Sequence, residues 1–136
     1  MNMLCTICAR SDSKGLKNKN VKMINGIPLV AHSIIQAKKS RAFDKIVVST
    51  DSKRIQKIAR FYEAECWFLR PKYLASDNIA KLPVIKHLLL ESEKKFNTKF
   101  DIIMDLDVTS PLRLIKDIKN SFKQFLKNKS INMVSV

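Results

Sequence analysis

Residues 3–20 read M-L-C-T-I-C-A-R-S-D-S-K-G-L-K-N-K-N. Met3 to Cys8 is a short apolar run of strand length. It passes directly into a glycine-containing loop, Ala9 to Asn20, with one Arg, three Lys, two Ser, two Asn and a single acid, Asp12. Cations gathered at the carboxyl end of a strand are what open α/β sheets use to bind anionic ligands. Phosphate oxygens need convergent donors. Arg10 offers a planar fork, Lys14 and Lys19 offer point charges, and Ser13 and backbone amides add hydrogen bonds. Gly15 permits a turn that bulkier residues resist. The loop matches neither G-x-x-x-x-G-K-[ST] nor G-x-G-x-x-G, so by pattern alone it predicts a polyphosphate site without naming the nucleotide.

Downstream, strand-like and helix-like segments alternate. Helical periodicity is predicted over Pro28 to Lys39, Lys53 to Phe61 (capped by Asp51 or Ser52), Leu82 to Lys95 and Ile115 to Leu126. Strands are predicted at Lys45 to Ser49, Cys66 to Leu69, Asp101 to Leu106 and Asn132 to Val136. Alternation of this kind specifies an α/β fold, with a mainly parallel, doubly wound sheet covered by helices on both faces.

The chain has 136 residues, which suits one domain able to bury roughly two-thirds of its unfolded surface. No apolar run approaches the roughly 20 residues that span a bilayer, and the start lacks a signal-peptide pattern, so the expected location is cytoplasmic with no membrane partner. The net charge of +14 comes from lysines spread along the whole chain, not from a stripe, and Phe61, Tyr62, Trp67 and Phe68 fall in apolar segments. A nucleic-acid partner is therefore not expected. Cys5 and Cys8 form C-x-x-C, but positions i and i+3 of a strand face opposite ways, and no second pair completes a zinc site. His32 and His87 lie within helical segments, as packing or surface residues. Asp105 and Asp107 leave the same face of a strand end, an arrangement suited to a hard cation such as magnesium.

Taken together, several segments resemble the acylneuraminate cytidylyltransferases, or CMP-sialic acid synthetases. Ala9 to Asn20 follows that family's A-R-x-x-S-K-G-L-x-x-K-N. Asn25 to Leu29 follows N-G-x-P-L, and Val48 to Asp51 follows V-S-T-D. Arg70-Pro71 with Leu74 to Asp77 follows R-P-x-x-L-A-x-D. Asp107 to Arg113 follows Q-P-T-S-P-L-R except at two places. The resemblance implies a sheet of the nucleotide-diphospho-sugar transferase type and transfer of CMP from CTP to a nine-carbon α-keto acid sugar, with Mg2+ as cofactor.

Carried over residue by residue, it implies that Arg10 and Lys19 are catalytic. Arg10, Ser13, Lys14, Gly15, Lys19, Asn20, Arg70 and Asp77 would bind nucleotide, and Asp107, Thr109, Ser110 and Arg113 would serve the acceptor sugar or shape its loop. Asp12 stands where Gly or Asn is usual, either joining the metal shell or weakening CTP binding. Asp107 and Val108 replace Gln and Pro, which points away from N-acetylneuraminic acid towards a bacterial relative such as legionaminic acid. Family members extend well past residue 136 with the main magnesium ligands and a dimer-building segment. Residues 1–136 are therefore expected to be the N-terminal part of the nucleotidyltransferase domain, with an apolar sheet edge left open. The alternatives are a 3-deoxy-manno-octulosonate-type nucleotidyltransferase and an inactive fragment that only binds nucleotide.

Overall fold

The computed structural model describes residues 1–13, 16–76 and 79–129, with the side chains of residues 12, 13, 16 and 17 outside that description. The predicted strand at Asn132 to Val136 lies outside the described residues.

The centre is strand β1 (Met3–Cys8), whose residues are almost all buried. A strand covered on both faces loses the usual polar alternation and reads as a continuous apolar run. Two short antiparallel hairpins follow, β2 (Asp12–Ser13) with β3 (Leu16–Lys17), and β4 (Met23–Ile24) with β5 (Ile27–Pro28). Helix α1 (Leu29–Ser40) then leads to β6 (Lys45–Ser49), and α2 (Lys53–Phe61) leads away from it. Helix α3 (Lys81–Phe96) precedes β7 (Ile102–Asp105), and α4 (Ile115–Lys127) follows.

The sheet order is β6-β1-β7, with β1 parallel to both neighbours. The chain thus moves from β1 to one side, then crosses back to the other. The alternating side chains of β1 feed two cores. Cys5 and Ile7 join Val48 against α1, α2 and α4, through Ile34, Ile55 and Ile118. Leu4 joins Val47 and Leu88 of α3, flanked by Trp67, Phe68 and Phe96. Cys5 and Cys8 are free thiols, Cys5 in the first core.

The helix boundaries fall within a residue or two of expectation, and local chemistry explains them. Ser52 is the N-cap of α2, its hydroxyl accepting from the Ile55 amide at 3.2 Å. Helices α1 and α3 end on Arg41 and Asn97 in the left-handed region. The buried face of α3 runs through Val84, Leu88 and Ser92, while Leu82 is exposed.

The predicted strand at Cys66 to Leu69 does not form. Only Glu65 bridges to Val47, exchanging hydrogen bonds of 2.9 Å with Ile46 and Val48. Trp67 and Phe68 then leave the sheet edge to stack edge-to-face, Trp67 on Phe96 at 5.4 Å and Phe68 on His87 at 5.5 Å. Burying aromatic area against α3 outweighs a further ladder of backbone bonds at the edge. The hairpin β4–β5, turned at Asn25-Gly26, is not among the predicted strands. Both residues take positive φ, 53° and 77°, as a two-residue type I′ connection requires. His32 holds that hairpin through a 2.8 Å contact to the Ile24 carbonyl.

Because Ile7 is fully buried at the centre of the larger core, Ile7→Ala should lower unfolding free energy by about 2–5 kcal/mol in a urea titration. Leu112→Ala, at an 89% exposed position, should change it by no more than about 0.5 kcal/mol.

Candidate active site

The loops at the carboxyl ends of β1, β6 and β7 are tied to one another. The Ala9 amide donates to the Ser49 carbonyl at 2.9 Å. Asp51 then accepts from Ser11 twice, from its amide at 2.8 Å and its hydroxyl at 3.0 Å. This second tie uses the residue left over once Ser52 caps α2. The far end of the basic loop returns through a 3-10 turn, Lys19–Val21, entered by Asn18 at φ 57°. Buried Asn20 closes it, its side-chain amide donating to the Arg10 carbonyl at 2.8 Å. Arg10, from the loop after β1, and Lys19, from the 3-10 turn, thereby line one cleft.

Arg70 extends this framework. Its amide donates to the Thr50 carbonyl at 2.7 Å. Its guanidinium is buried and donates to the Ser49 hydroxyl at 2.9 Å, the Ser49 carbonyl at 2.8 Å and the Leu74 carbonyl at 3.4 Å. Burial holds its pKa below the ordinary arginine value. A planar fork with several fixed donors can span two chain segments in this way, where a lysine cannot.

On the other side, β7 runs into an Asx turn. Asp107 Oδ1 accepts from the Thr109 amide at 3.0 Å and the Thr109 hydroxyl at 2.8 Å. Arg113 pins the turn from behind, donating to the Asp107 carbonyl at 2.6 Å, Gln36 Oε1 at 2.7 Å and Ser33 Oγ at 3.3 Å. It therefore couples the turn to α1.

Between these walls is a cleft of about 270 Å³. Arg10, Lys19, Asn20 and Arg70 line it with Asp107 and Thr109, together with Cys8, Leu74, Ser76, Ile79, Lys81, Val84 and Val108. The cleft lies where the strand order reverses between β1 and its neighbours, the position at which open parallel sheets take ligands. Six of the residues predicted for nucleotide or acceptor thus share one space. Ser110 and Arg113 are not in its lining; Arg113 acts on the loop instead. Lys14, Gly15 and Asp77 lie outside the described residues, and Ser13 is described by its backbone alone.

The sequence reading did not single out Lys81. Its ammonium sits 2.6 Å from Asp105 Oδ2 and 3.9 Å from Asp107 Oδ2. Asp105 Oδ1 accepts from Thr6 Oγ1 at 2.7 Å and from Cys8 Sγ at 3.7 Å. Burial alone would lower the Lys81 pKa, but the hydrogen bond and charge of Asp105, with Asp107, raise it. Burial and then Asp105 push the Cys8 thiol up to about 12, so at neutral pH it is protonated and a poor nucleophile or metal ligand. The only signal for Lys81 in the sequence is a cation at the start of a helix, the end at which the dipole disfavours it.

Asp107 lines the cleft, and Asp105 lies behind it, in contact with Lys81 and Cys8 of the lining. The ammonium of Lys81 already faces both, and among the described residues no three His, Cys, Asp or Glu side chains gather as a metal site. These residues do not by themselves fit a magnesium cage. Among the described residues, no helix is long and apolar enough to cross a membrane.

Burial would raise the Asp107 pKa, but two hydrogen bonds from Thr109 and the charges of Lys81 and Lys19 bring it below the ordinary 3.8. Its folded value being lower than its unfolded one, Asp107 contributes stability that is present at neutral pH. That contribution is lost as pH falls from about 4 through the folded value. An NMR titration of the Asp107 carboxyl carbon should give a midpoint below the ordinary value, and Thr109→Val should raise it. An unmoved midpoint would contradict the Asx-turn assignment.

Comparison with known proteins identifies the family. A family model described as cytidylyltransferase matches residues 4–136. The chain is 50% identical over 133 residues to post-translational flagellin modification protein B of Campylobacter coli, covering 98% of this chain and 57% of that one. It is 51% identical over 109 residues to the CMP-N,N'-diacetyllegionaminic acid synthase of Campylobacter jejuni, covering 80% and 46%. A solved CMP:2-keto-3-deoxy-manno-octonic acid synthetase complexed with CTP superposes with a TM-score of 0.72 at 18% identity, covering 96% of this chain and 49% of that one, and shares the fold. The chain spans about half the length of these relatives. The matched residues include both walls of the cleft, and the chain belongs to the cytidylyltransferase family.

Proposed function

We propose that this chain carries the nucleotide site of an enzyme that activates a nine-carbon α-keto acid sugar with CTP, giving the CMP-sugar and pyrophosphate. The observation that carries the reading is the meeting of Arg10 and Lys19 with the Asp107–Thr109 turn in one cleft at the sheet's switch point. In the proposed reaction the anomeric hydroxyl of the sugar attacks the α-phosphorus and gives up its proton to water. The bond from that phosphorus to the oxygen it shares with the β-phosphate breaks, and pyrophosphate departs with the electron pair. Catalysis of such an in-line displacement is mostly positioning and charge stabilisation.

Arg10 and Lys19, with Lys14, hold the triphosphate and offset charge developing on the leaving group. Ser13, Gly15 and Asn20 shape and donate from the same loop. Arg70 serves the cytosine side by fixing the Leu74 segment, and Asp77 is a further nucleotide-binding residue in this reading. Asp107, Thr109 and Ser110 serve the acceptor end, with Arg113 holding their turn. Mg2+ would have to come with the triphosphate, which supplies oxygen ligands that the described residues lack.

The preferred acceptor in this reading is a legionaminic acid derivative. Asp107 replaces a neutral donor with a carboxylate, and the Campylobacter jejuni relative is named for a legionaminic acid product. The 3-deoxy-manno-octulosonate reading has support from a shared fold alone, at 18% identity.

In a thermal-shift titration CTP should raise the melting temperature of the chain, whereas ATP and single-stranded DNA should not. Arg10→Ala and Lys19→Ala should each weaken CTP binding by roughly tenfold, as loss of one charge-assisted contact does. Stabilisation by DNA in preference to CTP would contradict the proposal. In an assay of the complete enzyme, better use of N-acetylneuraminate than of a legionaminic acid would contradict the choice of acceptor.

A further inference from the structure

Just behind the cleft lining lies an acidic side chain that the nucleotide reading leaves unexplained. Asp105 lies at the end of β7, its side chain only 18% exposed, and Thr6 and Cys8 hold it from the β1 side. It cannot swing out to solvent without breaking the Thr6 hydrogen bond. Asp107 is fixed by its own Asx turn. Asp107 at the cleft and Asp105 just behind it would both oppose a tetra-anionic ligand, and Asp105 is the less screened, its side chain 18% exposed against 58% for Asp107.

The cation that answers them stands at a costly position. Lys81 is the first residue of α3, a helix with no acid in its first turn and no side-chain cap on Ala80. A lysine there meets the positive end of the helix dipole. Its ammonium nevertheless reaches both carboxylates, and the N-terminus of α3 is carried into the cleft wall with it through Lys81 and Val84.

Resting on the CTP reading above, we infer that Lys81 is a positioning residue that neutralises Asp105 and Asp107 so that the cleft accepts the triphosphate. The Thr6–Asp105 contact holds the carboxylate that orients the ammonium. Lysine has three donors, and one suffices for Asp105. Its contribution here is charge balance against the two aspartates, separate from the grip exerted by Arg10 and Lys19.

The test is a calorimetric titration of CTP into the 136-residue chain at fixed magnesium and low salt, with melts confirming that each variant is folded. Lys81→Met should weaken CTP binding by roughly tenfold or more, and Lys81→Arg should stay within about threefold of the unsubstituted chain. Lys81→Met/Asp105→Asn should recover most of the loss, because the uncompensated charge goes with the lysine. Asp105→Asn alone should bind at least as tightly as the unsubstituted chain, and tests the inference even if Lys81→Met unfolds.

Unchanged binding in Lys81→Met overturns the inference and leaves the CTP reading intact. So does a double variant as weak as Lys81→Met, which would make Lys81 a direct phosphate ligand. Failure of the unsubstituted chain to bind CTP contradicts the functional reading, and the inference with it.

Discussion

The parallel pairing of β1 with β6 on one side and β7 on the other is the constraint from which the site follows. Parallel strands release their carboxyl ends at one edge of the sheet. The register sets Cys8 against Ser49 and Thr6 against Asp105. The basic loop after β1, the Thr50–Asp51 segment after β6 and the Asp107 turn after β7 therefore emerge side by side. Residues about a hundred positions apart meet because two strands are adjacent.

What the strands bring together, short polar contacts hold. Asp51 on Ser11, Asn20 on the Arg10 carbonyl, Arg70 on Ser49 and Leu74, and Arg113 on Gln36 and the Asp107 carbonyl form a frame around the cleft. Several of these residues, proposed above for the nucleotide, also hold structure by contact. Arg70 and Asn20 make the case most clearly. Both line the cleft, and both spend hydrogen bonds on the backbone of neighbouring loops. The charges at the cleft and just behind it add a second balance, in which Lys81 stands against Asp107 and Asp105. A concentration of cations is half of a phosphate site; where the acids point, and what opposes them, is the other half.

The α/β alternation was legible because each long helix carries a clear apolar period and each principal strand is a short apolar run. Lys45 to Ser49 and Lys53 to Phe61 form as read. Cys66 to Leu69 misled because an apolar aromatic run fits a strand and a packed loop equally well, and only the proximity of Phe96 and His87 decides between them. The cleft was legible as cations, a V-S-T-D segment and an Asp-rich turn in the right order. Lys81 was not, because its meaning comes from two carboxylates at a strand end more than twenty residues later in the chain.

The central claim is that one cleft, at the reversal of strand order, takes the nucleotide triphosphate. A crystal structure of the chain with CTP tests it most directly. The account predicts phosphate oxygens within hydrogen-bonding distance of Arg10 and Lys19, with the cytosine towards the Arg70–Ser76 segment. A nucleotide seated elsewhere, with Arg10 and Lys19 untouched, would contradict it.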